Sequence, residues 1–231
     1  MPTAAEAREI IAELGGAVGA FKIGLQLFTA AGASFVRETV AAGNKVFLDV
    51  KFHDIPNTVA KAAVEAARLG VWMFNVHALG GGEMMRRTVQ DVRETCEREN
   101  LSQPKIIAVT VLTSSDRETL REVGIEADTG AQVLKLAELA AKCGLDGVVA
   151  SPQETRLIRQ AIPDGNFLIV TPGVRPGFAT LDDQKRVMTP GEAVRAGSDY
   201  LVIGRPILRA ANRLEAVEKI LGEMQEEKSD K

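Results

Sequence analysis

Aromatic residues make up only 4% of the 231-residue chain, which also holds just two cysteines, two histidines and one tryptophan. A core so poor in rings is filled by Ala, Val, Leu and Ile, with 21 glycines in the chain, which suits helices laid on a sheet better than a β-sandwich. Cys96 and Cys143 stand in helix-like segments without CxxC spacing or a histidine companion, so two reduced, packed thiols are expected. No apolar run approaches the roughly 18 residues that a membrane span needs. The opening MPTAAEAREIIAEL lacks a basic segment followed by an apolar one, so neither export nor membrane insertion is expected and a cytoplasmic location is. The net charge is −3 and no Lys/Arg run stands out; this argues against nucleic-acid binding through bulk basicity and requires any anion site to be local.

With 45% hydrophobic and 26% charged residues, the composition is ordinary for a globular chain, and a single barrel-type domain over 1–231 is expected. Short β-branched or apolar runs recur at 20–24 (AFKIG), 46–50 (VFLDV), 73–77 (MFNVH), 106–111 (IIAVTV), 147–150 (GVVA), 167–170 (FLIV) and 200–204 (YLVIG). Segments of helical period separate them; Val133, Leu136, Ala137 and Ala140 share one face at i, i+3, i+4 and i+7. Thr3 with Glu6, Ser151 with Glu154 and Thr189 with Glu192 read as capping boxes, the last two followed by Pro at the first helical position. Gly43, Gly70, Gly144 and Gly197 each end a helical run where a left-handed cap is wanted.

Strands apolar on both faces and always separated by a helix form a parallel sheet. The repeat continues to the end of the chain, which predicts a (β/α)8 TIM barrel rather than an open sheet. Only seven strands are found, and the chain opens on a helix, so the strand expected before it would fall upstream of Met1.

The densest polar cluster is Asp49-Val-Lys51-Phe-His-Asp54-Ile-Pro-Asn-Thr58, at the C-terminal end of VFLDV, where barrel enzymes work. Residues i and i+2 of a strand share a face, so Asp49 and Lys51 are expected to point the same way, into the barrel mouth. A buried Lys beside two carboxylates stays protonated, which makes it a positioned acid; the alternative is an ion pair that only caps a strand. Lys22 lies near the end of AFKIG, a strand too short to expose a charge cheaply. His53 and His77 have no metal-ligand companion at i+2 to i+4 and are read as hydrogen-bonded supports.

A second constellation follows FLIV and YLVIG: Thr171-Pro-Gly-Val-Arg175-Pro-Gly, then Gln184 within DQKRVM, then Gly204-Arg205-Pro206. Loops in these places hold phosphate in such barrels, where a Gly lets backbone N–H groups approach the anion and an Arg grips it. The stretch 172–188 has little periodicity and reads as a lid, or else as a plain surface connection.

Taken in order, FKIGLQLF, DVKFHDIPNT, NVHALGG, TPGVRP, DQKRVMTP and GRPI resemble the bacterial type of orotidine 5′-monophosphate decarboxylase over essentially the whole chain. The D-x-K-x-x-D element is shared with other sugar-phosphate barrels; HDIPNT and DQKRVMTP are more specific. The resemblance implies cofactor-free decarboxylation of orotidine 5′-monophosphate (OMP) to UMP, the last step of de novo pyrimidine nucleotide synthesis. It implies a homodimer with a charge network of Lys22, Asp49 and Lys51 from one subunit and Asp54 from its partner. Lys51 then stabilises and protonates the C6 carbanion. Thr113 is expected at the pyrimidine, Arg175, Gln184, Gly204 and Arg205 at the phosphate, and Ile55 and Thr58 in the partner's site. The family's ribose-binding Asp would fall just upstream of Met1. Two rival readings are a Mg2+-dependent sugar-phosphate decarboxylase of the same superfamily and a catalytically silent homologue that keeps the dimer or binds a nucleotide.

Overall fold

The computed structural model describes residues 3–178 and 188–226. In chain order the elements are α1 (Ala4–Leu14), β1 (Phe21–Gly24), α2 (Leu25–Ala41), β2 (Val46–Phe52), α3 (Pro56–Arg68), β3 (Met73–His77), a 3-10 turn (Ala78–Gly80), α4 (Gly81–Glu99) and β4 (Lys105–Val109). There follow α5 (Arg117–Glu122), α6 (Thr129–Lys142), β5 (Gly147–Val149), α7 (Thr155–Ala161), β6 (Leu168–Pro172), α8 (Pro190–Ala196), β7 (Tyr200–Val202), α9 (Arg205–Leu208) and α10 (Arg213–Glu226). The seven strands follow one another in chain order in the sheet, each joined to the next through helix, as the (β/α)-barrel class requires. The chain forms two compact units, one of residues 1–108 with 142–146 and one of 109–141 with 147–231.

In the first unit β1 pairs in parallel with β2 and β2 with β3. Ile23, Leu48, Met73 and Phe74 on these strands are fully buried, the last two on opposite faces of β3, because a parallel sheet covered by helices has no wet face. Helix α3 presents Val59, Ala60, Ala63, Ala66 and Ala67 inward, and α4 answers with Met84, Met85, Thr88, Val89 and Val92. The small alanine side let the two helix backbones approach closely. Cys143 is buried, with its Sγ against the carbonyl of Gly82 at 3.5 Å, and Cys96 is buried as well; both are free thiols, as expected.

In the second unit β5 pairs with β6 and β6 with β7. Arg159 on α7 ties this sheet down: its guanidinium donates to the carbonyls of Phe167 (2.6 Å) and Gly197 (2.9 Å) and pairs with Asp199. Ile158, Ile169 and Val148 fill the core beside it.

Every predicted strand forms, within a few residues at its ends. The capping boxes at Thr3 and Thr189 are complete, with both reciprocal hydrogen bonds present. Gly43, Gly70, Gly144 and Gly197 all have positive φ. The box at Ser151 does not form. The Glu154 N–H goes to the Ser151 carbonyl (3.1 Å) and the Ser151 hydroxyl accepts from Gln153 N–H (3.4 Å), so this segment is a turn and the helix begins at Thr155.

Candidate active site

The strand register of the first unit builds a charged cluster. Gly24 on β1 is the partner of Asp49 on β2, and β2 is aligned with β3 by Leu48 opposite Phe74, which brings Asn75 beside Asp49. Lys22, two residues before Gly24, leans along the same face, and its Nζ stands 3.3 Å from Asp49 Oδ2. Lys51 Nζ donates to the other oxygen, Oδ1, at 2.6 Å, and Asn75 Nδ2 donates to that same oxygen at 2.7 Å. One carboxylate thus holds two ammonium groups and an amide. Burial alone would push the Asp49 carboxyl up, but the Lys22 charge, the hydrogen bonds from Lys51 and Asn75 and the Lys51 charge outweigh it and hold it below the usual carboxylate range.

Lys51 meets Asp49 by a route that strand periodicity does not describe. Its φ is 54°, one of two positive values among described non-glycine residues, and the β2–β3 register shifts between Leu48 and Phe52. Asn75 Oδ1 accepts the Lys51 backbone N–H at 2.8 Å. Within the single chain the Lys51 side chain is 38% exposed, and among the described residues its ion pairing is with Asp49 only. The Asp54 carboxylate is exposed and accepts from the Ile55 N–H at 2.7 Å, because the chain turns at Asp54 into α3, whose first residue is Pro56.

Ile55 is 66% exposed, and Thr58, on the first turn of α3, is exposed too. The two histidines stack, ring centroids 5.4 Å apart. His77 Nδ1 accepts from Leu79 N–H at 3.3 Å, which places the ring proton on Nε2. Burial, then the nearby His53 and Lys51 charges, push His77 down to about 4, so it is neutral at pH 7. That agrees with a supporting role for His77.

The remaining predicted residues lie in the second unit. Pro172 on β6 and Val202 on β7 are register partners. Arg175 follows the first by three residues and Gly204 the second by two, so both loops leave the same end of neighbouring strands. Arg175 is buried, and its backbone N–H donates to the Met188 carbonyl at 2.9 Å. Gly204 precedes α9, which Arg205 opens. Thr113 is exposed in the loop after β4. Gln184 lies outside the described residues.

Two features escaped sequence reasoning. Asn75 belongs to the Asp49–Lys51 cluster, and its signal was available: an amide in the middle of the otherwise apolar MFNVH strand. The left-handed backbone at Lys51 had none.

The Orotidine 5′-phosphate decarboxylase / HUMPS family model matches residues 1–220. The chain is 62% identical over 208 residues to a protein of Geobacter sulfurreducens named orotidine 5′-phosphate decarboxylase, covering 90% of this chain and 85% of that one. It is 56% identical over 220 residues to a protein of the same name from Syntrophotalea carbinolica, covering 95% and 90%. Its fold is similar to the crystal structure of orotidine 5′-phosphate decarboxylase from Lactobacillus acidophilus, with a TM-score of 0.84 and 38% identity over 97% of this chain and 95% of that one. A family match over nearly the whole chain, relatives at this identity and a shared (β/α)-barrel fold agree: the chain belongs to the orotidine 5′-phosphate decarboxylase / HUMPS family.

Proposed function

We propose that this chain decarboxylates OMP to UMP without a cofactor, with the Lys51 ammonium as the group that stabilises and then protonates C6. The reaction is supported by the family membership and by relatives of that name at 56–62% identity. The observation that carries the mechanism is the Lys22–Asp49–Lys51 array, two ammonium groups on opposite oxygens of one carboxylate. When the bond from C6 to the carboxylate carbon breaks, CO2 leaves and the electron pair stays on C6, with no adjacent carbonyl to spread it. A fixed cation lowers the energy of that pair. Lys51 Nζ then gives C6 its proton and regains one from solvent, while Asp49 keeps the amine in place.

Arg175, Gln184, Gly204 and Arg205 are assigned to the phosphate and Thr113 to the pyrimidine. Binding energy from the phosphate, remote from the bond that breaks, can then order the charged groups. The functional unit in this reading is a cytoplasmic homodimer of single barrel domains. Asp54, Ile55 and Thr58 line the partner's site, which fits an acid that makes no ion pair with Lys51 of its own subunit and an isoleucine left largely uncovered. Among the described residues no helix is long and apolar enough to cross a membrane.

The test is the loss of OMP absorbance with parent and Lys51→Ala protein. Turnover is expected to disappear in the variant while UMP binding stays largely intact. A variant as active as the parent removes Lys51 from the acid role, and parent turnover abolished by EDTA replaces this reading with the Mg2+-dependent one.

A further inference from the structure

We infer that Asn75 is a positioning residue of this reaction: its side-chain amide sets where the Lys51 ammonium and the Asp49 carboxylate stand. The inference rests on the reading of Lys51 given above. Opposite the β2 segment between Leu48 and Phe52, β3 offers one residue between Phe74 and Val76, so Asp49, Val50 and Lys51 face Asn75 alone. Accommodating the surplus forces the chain out of extended backbone, and Lys51 takes a φ of 54°. A β-branched or long side chain resists that conformation unless its surroundings hold it. Out of register with β3, the Lys51 N–H bonds a side chain where a ladder carbonyl would otherwise serve, and Asn75 Oδ1 accepts it at 2.8 Å.

The other end of the same amide donates to Asp49 Oδ1 at 2.7 Å. That bond turns the carboxylate so that each lysine has its own oxygen, Lys51 on Oδ1 and Lys22 on Oδ2. The orientation of the amide is fixed by its partners, since an N–H must meet the oxygen and a carboxylate must meet the NH2. Asn75 is completely buried, among Met73, Phe74 and Val76. A buried amide costs stability unless both ends are bonded, and here each end is bonded to a group of the reacting array. Aspartate at this place would lack the donor, and leucine would lack both functions.

The experiment compares parent, Asn75→Ala, Asn75→Asp and Lys51→Ala. It reads kcat and KM for OMP between about pH 5 and pH 8, UMP affinity by calorimetry and melting temperature. For Asn75→Ala, kcat is expected to fall about 10- to 100-fold through misplacement of the ammonium, with KM and UMP affinity within about threefold. For Asn75→Asp, which keeps shape and the acceptor, kcat is low at neutral pH. Its ratio to the parent rises as pH falls, because the protonated acid regains an O–H to donate to Asp49. An Asn75→Ala protein with parent kcat beside an inactive Lys51→Ala protein overturns the inference and leaves the reading of Lys51 standing. Loss of kcat together with UMP binding and melting temperature reduces Asn75 to a structural residue and overturns it too. Should Asn75→Ala not fold, an Asn75→Asp ratio flat across the pH range has the same force. An active Lys51→Ala protein removes the reading itself.

Discussion

Replacing Gly24 by alanine tests the position of the Lys22 ammonium without altering any charge. Gly24 lies in extended backbone, φ −89° and ψ 173°, which any L-residue adopts without strain. A Cβ there would stand 2.8 Å from Lys22 Nζ, where ordinary contact begins at 3.4 Å, so the ammonium has to retreat by about 0.6 Å. Directed away from Asp49, that retreat opens the 3.3 Å pair to about 3.9 Å. At an effective dielectric constant of about 20 the lost attraction is about 0.8 kcal/mol, roughly fourfold in rate. Solvent reduces this, since the Lys22 side chain is 32% exposed, while misalignment with the reacting carbon adds to it. We expect kcat/KM for OMP, followed by absorbance, to fall about two- to tenfold. The melting temperature should hold or rise, because Gly→Ala at a compatible site stabilises by about 0.4–1 kcal/mol through the unfolded chain. Parent activity in a folded variant would refute the claim that this ammonium must stand where it does. A variant that melts much earlier would refute the reading of the contact as local.

Two more outcomes follow from the same geometry. If Asp54 serves the partner's site, mixing inactive Asp54→Ala and Lys51→Ala proteins under subunit exchange restores activity, towards about a quarter of the parent's sites at equal amounts, since a mixed dimer keeps one complete site; no recovery after demonstrated exchange excludes sharing. His77, held at about 4 when folded against an ordinary value of 6.5, binds its proton more readily in the unfolded chain, so the stability due to its neutral form is present above pH 6.5 and lost as pH falls towards 4. A His77→Gln protein should therefore show a shallower drop in melting temperature than the parent across that window, and parallel curves would count against the shift.

The fold was legible because each level of the sequence agreed with the next. Runs such as MFNVH and FLIV can bury both faces, and the glycines at 43, 70, 144 and 197 stand where a helix must release the chain into a strand. The failure at Ser151 shows the limit of a motif read by spacing alone. Ser151, Pro152 and Glu154 have the right types, but the Glu154 N–H closes a turn on the Ser151 carbonyl, and the helix begins only at Thr155.

Of the Lys22–Asp49–Lys51 cluster the sequence showed the charged members but neither Asn75 nor the geometry, for a related reason. Period-two reasoning put Asp49 and Lys51 on one face, and they do meet, yet the ladder that would justify the argument is broken between them. Whether a strand keeps register is decided by its neighbour, and here β3 supplies one residue where β2 supplies three. A non-glycine residue with positive φ costs on the order of 1–2 kcal/mol, so the distortion persists only where other bonds hold it. Asp49 and Asn75 provide them, one gripping the Lys51 side chain and the other its backbone. Lys51 is therefore held at its backbone and at its ammonium while its side chain remains 38% exposed. A fully buried amine would be just as fixed but unable to reach a substrate or recover a proton from water, and one on an unbroken strand would lean on Asp49 through a flexible four-carbon stem alone. In the proposed reaction, holding the backbone in an unfavourable conformation would leave the Lys51 nitrogen both accessible and stationary, the combination that protonation of a short-lived carbanion demands.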